Sequence, residues 1–152
     1  MTKAIPTPSA ALPIETVRQI RDECLCLAAQ RAARLLARRF DRLFAPLGLT
    51  NGQFSLMVAL SGEWQPRLGE LAQFLAMDST TVTAAIKTLG KSGFVELLPD
   101  EHDARARRPA LTVAGHEVLA RATPLWITEH KALAAEIDTD AKALVGALAK
   151  IG

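Results

Sequence analysis

The side chains best suited to chemistry form a run of hydroxyl groups near the middle of the chain. The run consists of Ser79, Thr80, Thr81 and Thr83. Hydroxyl groups can donate hydrogen bonds to phosphate oxygens, and a threonine methyl group can contact the methyl group of thymine. Lys87, one helical turn further along, could pair with a phosphate. The run could therefore contact DNA, although the same side chains could simply cap and solubilise a helix.

A second candidate is the charged stretch between Pro99 and Pro109, in which acidic residues come first and arginines last. Arg105 could enter the minor groove of DNA, where narrow A·T-rich segments concentrate negative potential. Asp103 could hold the loop through an ion pair or by accepting hydrogen bonds from loop amides, and Arg107 is a further candidate DNA contact. A solvated charged turn is the simpler alternative.

The elements that must position these residues follow from apolar periodicity and turn signals. Helical patterns cover residues 14–47, 50–60 (from a Thr50–Gln53 capping box), 68–75, 79–92, 112–137 and 140–150. Two short β-favouring runs, 94–98 and 110–113, flank the charged stretch and predict a hairpin. Two short helices joined by a tight turn and followed by a hairpin are typical of a winged helix-turn-helix. The predicted fold class is therefore mainly α with a small β-hairpin.

In such a fold the second helix of the motif lies in the major groove and presents its first residues to base edges. Here that helix begins at Ser79, with Thr80, Thr81 and Thr83 toward the bases. The apolar positions of the same helix, such as Val82 and Ile86, would face the core.

The stretch from Leu71 to Gly115 resembles the winged-helix core of the MarR family of bacterial transcriptional regulators. The resemblance rests on the run LGELAQFLAMDSTTVTAAIKTLGKSGFVE, on Asp103-Ala104-Arg105 as the D-x-R of the wing, and on L-T-x-x-G beginning at Leu111. The segment from Leu47 to Phe54 is similar to the family's entry to its second helix, and the order of elements covers nearly the whole chain.

This resemblance implies a homodimer that binds a pseudo-palindromic double-stranded operator as a sequence-specific repressor. It further implies release by a small, often aromatic ligand or by cysteine oxidation. Two positions depart from the family pattern: Ala84 stands where many members have arginine, and Gly90 where an acidic residue is common. Without that arginine, base recognition would depend on the threonines and the wing. An alternative is a dimeric interaction module that has lost DNA binding.

The helices outside the winged helix supply independent support for a dimer. They carry apolar residues that a small winged helix could not cover, and burial against a second copy is the simplest solution, with an intrachain bundle as the alternative. These residues include Trp126, Leu133, Ile137, Leu144 and Leu148. The expected organisation is a flexible leader over residues 1–13, a helical dimerisation region over 14–48 and 116–152, and a DNA-binding winged helix over 49–115. An effector pocket is expected where the first, second and fifth helices meet.

Two cysteines are the rival functional feature. On a continuous helix Cys24 and Cys26 would point about 160° apart, so they could not readily bridge each other without unwinding. A redox-sensing regulator with an intersubunit disulfide is therefore one alternative, and two structural cysteines are the other. Two cysteines cannot form a disulfide scaffold.

Composition narrows the remaining classes. The chain has 152 residues, 49% of them hydrophobic, which favours a globular protein. Its formal net charge of +2 is too small for a surface that is basic all over. The three histidines, His102, His116 and His130, lack metal-ligand spacing, and no phosphate loop or nucleophile–base pair is present. The sequence therefore predicts a cytoplasmic protein that is not an enzyme, has no cofactor or bound metal, and does not act at a membrane.

Overall fold

The computed structural model describes residues 12–103 and 105–151 of the chain. Its helices are α1 (Ile14–Glu23), α2 (Leu25–Phe44), α3 (Asn51–Leu60), α4 (Leu68–Phe74), α5 (Ser79–Lys91), α6 (Val113–Glu136) and α7 (Ala141–Leu148), and its strands are β1 (Val95–Pro99) and β2 (Arg107–Leu111). A short 3₁₀ turn, Ala45–Leu47, follows α2. The expected fold class, mainly helical with one two-stranded hairpin, is confirmed.

The chain divides into two compact units, Met1–Ala37 and Arg38–Gly152. Within the first unit, α1 has no buried residue, and Ile14, Val17 and Ile20 are exposed. The leader expected over residues 1–13 lies outside the described residues, apart from Leu12 and Pro13.

The sequence predicts one continuous helical pattern over residues 14–47, but the structure interrupts it. The helix breaks at Cys24, whose backbone is extended (φ −75°, ψ 104°), and a second helix starts at Leu25. The Cys24 thiol accepts a hydrogen bond from the Leu27 amide at 3.4 Å. The sulfur therefore serves one of the free N–H groups that every helix start leaves unsatisfied.

The second unit contains one hydrophobic core. Phe44, Met57, Leu71, Val82 and Leu89 are fully covered within this core. Phe44 stacks on Phe54 with ring centroids 4.5 Å apart. The apolar faces of α3, α4 and α5 therefore meet in this core, which fixes the outward face of α5.

Local signals set the start of α3 as the sequence predicted. The Thr50 hydroxyl accepts a hydrogen bond from the Gln53 amide, and the Gln53 side chain accepts one from the Thr50 amide at 2.9 Å. This reciprocal pair is the predicted capping box, and it is confirmed.

The second strand begins and ends earlier than predicted. It covers Arg107–Leu111 rather than residues 110–113, because Thr112 caps α6 by accepting a hydrogen bond from the Gly115 amide at 3.0 Å. The hairpin is antiparallel, with Val95 opposite Leu111 and Pro99 opposite Arg107. Gly115 permits this junction, since a Cβ there would overlap the carbonyl oxygen of Phe94.

Candidate nucleic-acid interface

The start of α5 is held by a carboxylate. Asp78 precedes the helix and accepts hydrogen bonds from the Thr81 amide at 2.8 Å and from the Thr81 hydroxyl at 2.5 Å. The hydrogen bond from the Thr81 hydroxyl is the largest influence that holds the pKa of Asp78 below its ordinary value, and the bond from the Thr81 amide is the next largest. The Thr81 proton is thus used inside the protein, which leaves its oxygen lone pairs and methyl group for an external partner.

The other hydroxyl groups of α5 differ from one another. Thr83 donates to the carbonyl oxygen of Ser79 at 2.7 Å. The hydroxyl groups of Ser79 and Thr80 make no hydrogen bond within the described part of the chain, and both residues are exposed. Ser79 and Thr80 can therefore donate to a ligand without breaking an internal bond.

One shallow depression of about 400 Å³ brings most of the predicted helix residues together. Its lining consists of Ser79, Thr80, Thr83, Ala84 and Lys87. Val82, Ile86 and Leu89 lie buried on the opposite side of the same helix. The exposed face of α5 therefore presents hydroxyl groups, methyl groups and one ammonium group together, while Thr81 serves the helix cap.

The wing is the hairpin of β1 and β2 with the loop that connects them. It places the residues predicted to contact DNA at its tip and on its second strand. Arg105 is exposed, and its amide donates to the Asp103 carboxylate at 3.0 Å. Arg107 begins β2 and donates from its guanidinium to the Ala106 carbonyl oxygen at 3.2 Å. By accepting the hydrogen bond from the Arg105 amide, Asp103 fixes the backbone at Arg105.

A buried carboxylate that the sequence reasoning did not single out anchors this wing. Asp100 is only 5% exposed and accepts hydrogen bonds from Arg67 and Arg108 and from two loop amides. The Arg67 guanidinium is the largest influence that lowers the pKa of Asp100 well below its ordinary value. The sequence signal that could have indicated this buried carboxylate is a Pro-Asp pair at the end of a strand, followed by arginines.

The two cysteines lie in the first unit and are both free thiols. Cys24 is half-buried at the helix break, and Cys26 is exposed in the first turn of α2. The assumption that both lie on one continuous helix was therefore wrong. Among the described residues, no group of three or more His, Cys, Asp or Glu side chains could hold a metal ion.

No individual helix in the described ranges is long and apolar enough to cross a bilayer; only α2 with its following turn, taken with α3 as a bent pair, meets the length and composition requirement. Within that pair α3 contributes Phe54, Leu56 and Met57 to the hydrophobic core.

Comparison with known proteins identifies the class of this fold. The MarR family model matches residues 49–106, which include α3 to α5 and most of the wing. The uncharacterized HTH-type transcriptional regulator YybA of Bacillus subtilis is 32% identical over 92 residues, covering 58% of this chain and 61% of YybA. This chain spans between 52% and 61% of the curated relatives that it matches.

Two solved structures extend the similarity over most of the chain. The transcriptional regulator MosR of M. tuberculosis, crystallised with DNA, is 32% identical with a TM-score of 0.77, covering 85% of this chain and 93% of MosR. The transcriptional repressor CouR, bound to a 23-mer DNA duplex, is 27% identical with a TM-score of 0.77, covering 93% of this chain and 99% of CouR.

The chain belongs to the MarR family of winged-helix transcriptional regulators. Members of this family are regulators and not enzymes, so the expectation of a non-enzymatic protein is confirmed.

Proposed function

We propose that this protein is a homodimeric, sequence-specific DNA-binding repressor that a small ligand releases from its operator. The observation that carries the proposal is the α5 face, where Ser79, Thr80, Thr83 and Lys87 line one exposed depression. The DNA-bound structures of MosR and CouR, and the description of CouR as a repressor, support the same conclusion.

The roles of individual residues follow from their chemistry. Thr80, Thr81 and Thr83 contact base edges in the major groove, where base donors and acceptors can bond their hydroxyl groups and the thymine methyl can contact their methyl groups. Ser79 and Lys87 bind phosphates. These contacts fix the register of α5 on the duplex.

The wing completes the contact with DNA. Arg105 enters the minor groove, Asp103 shapes the loop beneath it, and Arg107 adds positive charge beside it. Because Ala84 cannot form the bidentate guanine contact of an arginine, the wing contributes a larger share of the recognition.

The exposed apolar residues of the last helices support a dimer. In α7, Leu144, Val145 and Leu148 are all exposed, and Trp126 and Ile127 of α6 are exposed as well. Exposed apolar residues of this number mark a protein interface. A twofold pair would place two winged helices on half-sites roughly 34–36 Å apart, the repeat of the duplex.

The effector pocket is proposed between α3 and α6. A cavity of about 450 Å³ there is lined by Phe54, Val58, Leu119 and Trp126 together with hydroxyl groups that include Ser55 and Thr123. Aromatic walls with a few hydroxyl groups suit a small aromatic ligand. Ligand binding would favour a separation of the half-sites that no longer fits the duplex.

A gel shift of the purified full chain against the DNA upstream of its own gene tests this function. The expected result is a retarded band at two salt concentrations, weaker at the higher one because bound phosphates release counterions. Unlabelled operator should displace the probe at much lower concentration than unrelated DNA. Absence of any shift would favour the alternative of a dimeric interaction module without DNA binding.

Oxidation of the cysteines is a second candidate for the release signal, favoured by the break of the helix at Cys24. Because Cys24 has an extended backbone, the continuous-helix geometry that separates it from Cys26 does not apply. A peroxide would remove two electrons and two protons from two thiols to form a disulfide and water, either within the chain or between subunits.

Treatment with peroxide, followed by mass spectrometry and a gel shift, tests this second candidate. Disulfide formation should accompany loss of the retarded band, and dithiothreitol should restore it. The variant with Cys24→Ser and Cys26→Ser should keep its DNA under the same treatment. Release of DNA from that double variant by peroxide would exclude the thiols as the sensor.

A further inference from the structure

The anchoring of the wing depends on one carboxylate group. Both oxygens of Asp100 accept from Arg67, with Nε and Nη2 each 2.9 Å away. One oxygen also accepts from Arg108 Nε at 2.5 Å, and the other from the amides of His102 and Asp103 at 2.9 and 3.0 Å. A single side chain therefore joins the start of α4, the second strand and the wing loop.

Apolar packing alone does not hold this part of the hairpin. In β1 only Val95 is buried, whereas Leu97, Leu98 and Pro99 are exposed. A two-stranded hairpin is marginally stable by itself in water. The end of the wing farther from Val95 is therefore held against the body by polar contacts, of which the two-point pair between Arg67 and Asp100 reaches another element.

The same contacts connect the wing to α5 through α4. Arg67 directly precedes α4, and its amide is fixed by the Glu70 carboxylate at 2.7 Å. Arg108 also donates to the carbonyl oxygen of Gln65 in that segment. Because α4 contacts α5 and both helices contribute buried residues to the same core, Leu71 and Val82 among them, a wing tied to the start of α4 keeps a fixed position relative to α5.

We propose that Arg67 and Asp100 form a latch that positions the wing relative to α5 and thereby determines whether Arg105 reaches the minor groove. This inference rests on the proposed DNA binding. Arg67 and Asp100 are positioning residues: the carboxylate binds two guanidinium groups and the amides of His102 and Asp103. Asp103 in turn accepts a hydrogen bond from the Arg105 amide. The latch thus holds the wing and α5 in a fixed relative position, so that both contact the DNA as one rigid unit.

A double-mutant cycle on operator binding by the full chain tests the latch. Arg67→Ala leaves Arg108 paired with Asp100 and the strand pairing in place, so the hairpin can persist. The expected result is about five- to tenfold weaker operator binding by Arg67→Ala alone, and less than about a twofold further loss when Arg105→Ala is already present. Lys87→Ala serves as the matched control, and its effect should multiply with that of Arg67→Ala.

Further measurements separate positioning from direct contact and from general destabilisation. A direct phosphate contact by Arg67 would lower the salt dependence of binding even in the Arg105→Ala background, whereas the latch predicts no change there. Arg67→Lys should restore part of the affinity, because an ammonium group can reach one carboxylate oxygen but cannot form the bidentate pair. Amide hydrogen exchange at residues 102 and 103 should accelerate in Asp100→Asn, even if that variant is less stable overall.

The outcomes distinguish the two proposals. Full multiplication of the Arg67→Ala and Arg105→Ala effects, or no effect of Arg67→Ala, overturns the latch while the DNA-binding function stands. Failure of the wild-type chain to bind its operator overturns both.

Discussion

The winged helix and the terminal helices use their apolar residues differently. From α3 to β2 the apolar side chains close a core in which Met57, Leu71 and Leu89 are fully covered. By contrast, α7 has no buried residue, and its Leu144 and Leu148 are 42% and 50% exposed. The high hydrophobic fraction of the chain therefore falls into two parts: one part stabilises the fold, and the other forms the surface proposed to contact a second copy.

The largest effect is expected from a cavity in the winged-helix core. Leu71→Ala removes a completely buried side chain and should lower the free energy of unfolding by about 2–5 kcal/mol. Urea denaturation measures this change. The control, Leu97→Ala on the exposed side of β1, should change it by less than about 0.5 kcal/mol. Equal losses at the two positions would mean that the wing is as tightly packed as the core.

The second prediction concerns the exposed face of α7. Leu144 and Leu148 are one helical turn apart, so together they present one apolar patch. Replacing both by Asp should raise the dimer dissociation constant by more than about 100-fold, because each buried leucine contributes about 1.5–3 kcal/mol. Sedimentation equilibrium measures the constant. Lys142→Asp places a carboxylate on the same helix without removing apolar surface, and a loss of equal size in that control would argue against the patch.

The sequence predicted most of the fold because its local signals agree with its tertiary packing. The capping box at Thr50 and the apolar stripe of α5 are directly visible as residue spacings. The break at Cys24 was not, because helical periodicity continues on both sides of it. The boundary of β2 was missed because Thr112 favours a strand by propensity, whereas its side chain caps the following helix.

The candidate site was predictable in its residue types but not in its internal bonding. Exposed hydroxyl groups at the start of a helix and an arginine in a wing can be located from spacing alone. The sequence could not show that Thr81 is bonded to its own cap or that Asp100 is buried between Arg67 and Arg108. These contacts join residues that are 33 positions apart or depend on the rotamer of one side chain.

Within the surface proposed to bind DNA, the wing and α5 are expected to contribute in different ways. Arg105→Ala should weaken operator binding by about 1–3 kcal/mol, with a smaller loss on unrelated DNA. Fluorescence anisotropy with both duplexes measures this difference. Glu101→Ala, a substitution of another exposed residue in the wing loop, is the control and should not reduce affinity. Unchanged operator affinity of Arg105→Ala would remove the wing from the recognition model.

Lys87→Ala is expected to weaken all sequences alike. The lysine lies on the exposed face of α5, beyond the hydroxyl groups, where a phosphate contact supplies affinity without sequence information. The slope of log affinity against log salt should fall by about one phosphate equivalent per subunit. A change confined to the operator would instead assign Lys87 to base recognition.

The dependence of stability on acid separates the buried wing anchor from an exposed ion pair. Arg67 lowers the pKa of Asp100 below the ordinary 3.8, so the folded state binds this proton less readily than the unfolded state. The contribution of Asp100 to stability is therefore complete above about pH 4 and declines as the pH falls through its lowered pKa. In Asp100→Asn, stability should be lower at neutral pH, and the curves of stability against pH for the variant and the wild type should converge in acid.

Asp22→Asn is the control. Arg21 also lowers the pKa of Asp22, but their exposed pair is screened by solvent, so this substitution should leave the curve nearly unchanged. Parallel curves for Asp100→Asn and the wild type would show that the wing anchor acts through packing rather than through its charge.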